Sequence, residues 1–129
     1  MEKKKEKEKL SLNFEIRFFE KLVKDNPDFV DALIPLAEAY TKAGRYREGL
    51  TIDKQLSGLK PDDQIVYYNL ACSYSLLKEK DEAFAALKKA IKLGYRDFKY
   101  MDNDPDLSML RDDQRYQEII LKVKNQKRD

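Results

Sequence analysis

A short stretch of this chain returns at a fixed interval: Asn26-Pro27-Asp28 comes back as Lys60-Pro61-Asp62, 34 residues on. The text between keeps the same offset. Leu36 matches Leu70, Ala37 matches Ala71, Tyr40 matches Tyr74, Glu48 matches Glu82, Gly49 matches Ala83, Leu50 matches Phe84 and Leu59 matches Leu93. A chain that repeats in this way uses one supersecondary unit more than once, each copy burying its apolar face against its neighbour.

The content of the unit follows from its periodicity. From Val30 to Ala43 the apolar positions Leu33, Leu36, Ala37 and Tyr40 fall three and four apart, which places them on one helical face. Gly44 ends that helix, since glycine takes the left-handed conformation at little cost. A second helix is predicted from about Tyr46 to Ser57, carrying Leu50, Ile52 and Leu56. Pro61, Asp62 and Asp63 then open the next unit, where negative charge complements a helix N-terminus. In it, Gln64 to Leu77 offers Tyr67, Leu70, Ala71 and Tyr74, and Asp81 to Leu93 offers Ala83, Phe84, Leu87, Ala90 and Ile91. Gly and Pro number only four each, consistent with an all-α chain.

The period and the residue types resemble the tetratricopeptide repeat, in which a Leu-Ala/Gly pair, a Tyr, a small residue and a closing Pro mark two antiparallel helices. That resemblance implies a right-handed α-solenoid whose role is to bind another protein. Lys78 stands where the first repeat has Gly44, a departure from the family's preference in that turn. The expected organisation is a charged segment over 1–9, either frayed helix or a disordered tail, a half-repeat cap helix over 10–25, full repeats over 30–62 and 63–95, and capping helices with a basic tail over 96–129. In the half-repeat, Leu12, Ile16, Phe19, Leu22 and Val23 hold the core positions of a second helix whose first helix is missing. The segment after Leu93 resembles the closing segment of many bacterial arrays of this family. There Asp104-Pro105-Asp106 breaks one helix, Asp112 or Asp113 caps the next, and Tyr116, Ile119, Ile120 and Val123 form its apolar stripe. Gln117, Lys122, Lys124 and Lys127 supply the polar outer face that a terminal repeat needs.

Composition limits the function. The 129 residues fit one domain, and 26 Lys and Arg interleave with 24 Asp and Glu, so no one-signed field is expected to steer nucleic acid or membrane. Histidine is absent and Cys72 is the single cysteine, which removes Ser-His and Cys-His nucleophile pairs and the commonest zinc ligand. No enzyme activity, cofactor or metal is expected, and a cytoplasmic location follows by default.

Arrays of this family stack their first helices along a concave surface where a ligand segment lies. Carried over by register, that surface is expected to use Ile34, Glu38 and Thr41 from the first repeat, and Ile65, Tyr68, Asn69, Cys72 and Leu76 from the second. Tyr68 is its expected anchor. The carboxylate clamp of some family members fits poorly: Asn69 is in place, but Ile34 and Glu38 stand where Lys and Asn belong, and Glu38 repels a carboxylate. Asp102, Asp104, Asp106 and Asp113 are spaced like part of a calcium loop, yet Leu107 replaces its glycine and Pro105 stiffens it, so helix breaking and capping account for them. Leu10, Phe14 and Phe18 line a second face of the N-terminal helix, expected to be exposed and to serve self-association or docking onto another subunit.

Overall fold

The computed structural model describes residues 2–126, and every regular element among them is helical. Lys127 and Arg128, counted above with the polar face and the basic end, lie outside the described residues. The chain forms two compact units that meet in sequence at Pro61 and Asp62.

The first unit holds α1 (Glu2–Asp25), α2 (Val30–Lys42) and α3 (Tyr46–Leu59). Its core gathers Ile16 of α1 with Leu36, Ala39 and Tyr40 of α2, and Leu12, Phe19, Val23 and Ile52 pack against them. The half-repeat thus presents the stripe its register called for. The Tyr40 hydroxyl donates to Glu20 at 2.6 Å, tying α2 to α1, while the Arg45 guanidinium lies 4.7 Å from the Tyr40 ring centroid. Burial, then the Glu20 contact, drives the Tyr40 hydroxyl well above its ordinary pKa.

Residues 2–9, expected as frayed helix or a disordered tail, continue α1 as helix. Glu and Lys are good helix formers, and Glu2 with Lys5, Lys3 with Glu6, and Glu6 with Lys9 stand one turn apart with opposite signs. Gly49 lets α3 cross close over α2, since a Cβ there would lie 3.2 Å from Thr41 Oγ1 and 3.6 Å from the Ala37 carbonyl. Pro35 sits inside α2, at the register position of Asn69.

The second unit pairs α4 (Gln64–Leu76) with α5 (Lys80–Lys92) and continues through α6 (Phe98–Asn103), a single 3-10 turn (Pro105–Leu107), α7 (Ser108–Arg111) and α8 (Gln114–Gln126). Asp63 caps α4 by accepting from the Ile65 and Val66 amides at 2.9 and 3.3 Å. Ala83, Leu87 and Ala90 are fully buried, as are Met101, Leu107 and Leu110 of the closing segment. Arg115 anchors the start of α8, bonding Asp81 at 2.8 Å and Asp113 at 2.9 Å with its guanidinium 4.4 Å from the Phe84 ring centroid.

Three turns share one geometry. After α2, the Gly44 amide donates to Thr41 O at 3.0 Å and the Arg45 amide to Tyr40 O at 2.8 Å. After α4, the Lys78 and Glu79 amides do the same to Ser75 O and Tyr74 O at 3.0 and 2.9 Å. After α5, the Gly94 and Tyr95 amides donate to Ile91 O and Ala90 O, both at 3.0 Å. This paired closure requires a left-handed residue in its middle. Gly44, Lys78 and Gly94 take φ of 76°, 64° and 114°, so the lysine adopts the glycine's conformation rather than changing the turn.

Candidate partner-binding surface

The residues expected to line the ligand surface separate into covered and open groups. On α2, Glu38 is exposed, whereas Ile34 and Thr41 are half-buried. The Thr41 hydroxyl is turned back onto its own helix, donating to Ala37 O at 3.1 Å.

On α4, Tyr68 is only 5% exposed, so the expected anchor is not free. Its ring stacks on Tyr95 with centroids 4.4 Å apart and planes 10° from parallel, and its hydroxyl donates to Asp104 Oδ2 at 2.7 Å. The Cys72 thiol points at the same oxygen, 3.7 Å away, and is likewise buried. Asp104 Oδ1 accepts the Asp106 amide at 3.0 Å, which caps the 3-10 turn. The physical reason for the covering lies in the closing segment. Buried Leu107 draws the turn Pro105–Leu107 onto α4 and carries Asp104 over Tyr68 and Cys72. Burial, then the Asp104 bond, pushes the Tyr68 hydroxyl far above its ordinary range, and burial first among several causes pushes Tyr95 up to about 12. Both phenols therefore stay neutral at physiological pH, and that of Tyr68 donates to Asp104.

Tyr67 and Tyr74, expected in the core stripe of α4, are only half-buried, while Val66, Ser73 and Ser75 are buried in addition. The helix is packed on two sides: α5 covers one and the closing segment another. The Ser75 hydroxyl, at the register position of Thr41, is buried without a hydrogen-bond partner.

A shallow cleft of about 380 Å³ opens on this unit at the start of α4. Ile65 and Tyr100 rise on its rim, 52% and 58% exposed, with Asn69 and Gln64 beside them and the Tyr68 and Tyr95 rings lining it. Arg96 and Asp97 add one charge of each sign. Arg96 is held in place by donating to Ile91 O and Tyr95 O, both at 2.8 Å, and Asp97 by accepting the Tyr100 amide at 3.1 Å. Leu76, further along α4, is half-buried.

Register reasoning finds Ile65, Tyr68 and Asn69 but misses Tyr95, Arg96 and Tyr100. One signal for them exists: Tyr95 holds the place that Pro27 and Pro61 hold in the two earlier units, so the pattern changes there. Three of the four aspartates spaced like a calcium loop hold protein partners. Asp102 accepts the Tyr116 hydroxyl at 2.6 Å, Asp104 that of Tyr68, and Asp113 the Arg115 side chain. Among the described residues no group of three or more Cys, Asp or Glu is placed to hold a metal ion. Leu10, Phe14 and Phe18 of α1 are exposed at 68%, 72% and 51%.

Helix pairs at a 34-residue period, closed by equivalent turns, define a helical repeat protein, and the family models agree. Two models described as tetratricopeptide repeat match, one over residues 16–72 and the other over 65–93. The chain is a tetratricopeptide repeat protein, a class whose fold serves protein–protein interaction. Among curated proteins it is 40% identical over 75 residues to a chloroplastic protein of Arabidopsis thaliana, a match that covers 56% of this chain and 22% of that protein. The chain thus matches less than a quarter of that relative's length. Among solved structures it resembles the MamA RS-1 ArsTM double mutant with a TM-score of 0.65 at 17% identity, covering 92% of this chain and 70% of that one, which shows the fold. No helix among the described residues is long and apolar enough to cross a membrane.

Proposed function

We propose that this chain is an adaptor or assembly factor that binds a segment of another protein on the faces of its first helices, with the cleft at the start of α4 as the principal contact. The observation that carries this reading is the cleft's composition. Two large side chains stand half exposed beside amide groups and a fixed pair of opposite charges, gathered at one cleft. A concave site with apolar walls and a few oriented polar groups suits a partner's side chain inserted from an extended or helical segment. Ile65 and Tyr100 supply the apolar grip, and Gln64 and Asn69 offer donors and acceptors to the partner backbone.

The test is an affinity purification with the wild type and an Ile65→Glu/Tyr100→Ser variant, followed by calorimetric titration of the recovered partner. Loss of that partner from a variant with unchanged far-UV circular dichroism supports the reading. Equal recovery and affinity with both proteins overturns it.

A further inference from the structure

A second docking face lies on the first unit, independent of the α4 cleft. At 100° per residue, the side of α1 opposite its core stripe is centred on Phe14, with Leu10 and Phe18 within half a right angle of it. All three are more than half exposed, and an edge-to-face contact with Phe19 at 5.2 Å orients the Phe18 ring. Lys3 and Lys7 extend the same face toward the N-terminus, Lys21 extends it toward the C-terminus, and Arg17 borders it, all exposed. Asp25 is the one carboxylate within that arc, and Lys4 and Lys24 stand with Arg17, Glu6 and Glu15 along its edges, so six cations and three carboxylates surround three apolar side chains. The even balance of the whole chain hides this local excess.

We infer that this face is a docking site for an acidic amphipathic helix of a partner protein. Charge selects the occupant. Two copies of α1 laid antiparallel about Phe14 would set Lys7 against Lys21 while Lys3 meets Asp25, and laid parallel would set each cation against itself. Neither arrangement neutralises the cationic excess of the face, which an acidic helix does. The apolar stretch spans a little over two turns, which matches the i, i+3/i+4, i+7 anchors of a helix laid alongside. An anionic lipid surface would meet the same cations, and the vesicle measurement below tells it from a protein helix.

The test uses fluorescence anisotropy on the full chain with two synthetic helices. One carries leucines at i, i+3, i+4 and i+7 flanked by glutamates; its twin has lysines in their place. The acidic helix is expected to bind at least tenfold tighter than its twin, and to weaken as salt is raised. Phe14→Ser lowers that affinity tenfold or more, and Lys7→Glu/Lys21→Glu reverses the preference, both with unchanged circular dichroism because the residues are exposed. Ile65→Glu/Tyr100→Ser leaves the binding intact, which separates this face from the α4 cleft. Equal binding of the two helices, no binding of the acidic one, or its loss in the cleft variant overturns the inference. So does co-sedimentation with phosphatidylserine vesicles that Phe14→Ser abolishes, or a wild-type dimer in sedimentation analysis that Phe14→Ser dissociates.

Discussion

Replacing Lys78 by glycine is expected to stabilise the protein, and the size of the gain can be worked from the turn it occupies. Lys78 holds φ at 64° in a turn whose two closing hydrogen bonds match those around Gly44. A left-handed backbone costs an L-residue about 1–2 kcal/mol. Glycine removes that cost but gives the unfolded chain more freedom, about 0.4–1 kcal/mol in the opposite direction. The lysine charge also sits favourably at the negative end of α4, and losing it costs a few tenths, about 0.3 kcal/mol. The net gain is about 0.5 kcal/mol for Lys78→Gly against wild type. Measured against Lys78→Gln, which loses the charge but keeps the strain, it is nearer ~0.8 kcal/mol. Urea denaturation followed by circular dichroism reads this as a rise in midpoint at constant slope. The reverse change, Gly44→Gln, is expected to cost a similar amount through backbone strain alone, since a Cβ at Gly44 meets nothing within 4 Å. The reasoning fails if Lys78→Gly is no more stable than Lys78→Gln.

Other substitutions probe the packing. Tyr68→Phe removes a donor from the buried Asp104 carboxylate and is expected to destabilise the second unit by about 1–3 kcal/mol, read by thermal denaturation and by faster amide exchange over residues 95–107. Gly49→Leu forces α3 off α2 and is expected to cost about 1–3 kcal/mol or more, whereas Gly49→Ala asks only that Thr41 shift by tenths of an ångström. The Arg115 side chain and amide hold the Asp113 carboxyl down to about 2. Its pairing is therefore complete above the unfolded pKa near 4 and is lost as pH falls through about 2, which a carboxyl-carbon NMR titration of Asp113 reads directly.

The pairing of helices was legible because small and large apolar residues recur at one interval, and backbone crossings depend on little else. Gly49 and Ala83 mark the close approach, and Leu36 and Leu70 mark the buried stripe. Where the repeat stops, register stops informing. Tyr68 looks like an exposed anchor when matched to family geometry, and it becomes a buried donor because Leu107, 39 positions later, brings Asp104 onto it. Asp53 escapes for a related reason. It holds the register position of Leu87 yet is buried as a carboxylic side chain, and nothing in the local pattern announces this. The N-terminal charge run reads as either frayed helix or tail for want of apolar periodicity, and its residue types favour helix wherever a neighbouring helix has already nucleated.

The turn that carries Asp104 onto α4 also fixes where this array can grow. A solenoid lengthens by offering each new unit a bare helix face, and here that face of α4 is occupied by residues of the same chain. A further copy added beyond Gln126 would find no α4 surface to stack on. An additional 34-residue unit spliced in at Pro61 and Asp62 would instead keep the terminator on the last repeat and add length where the chain already tolerates repetition.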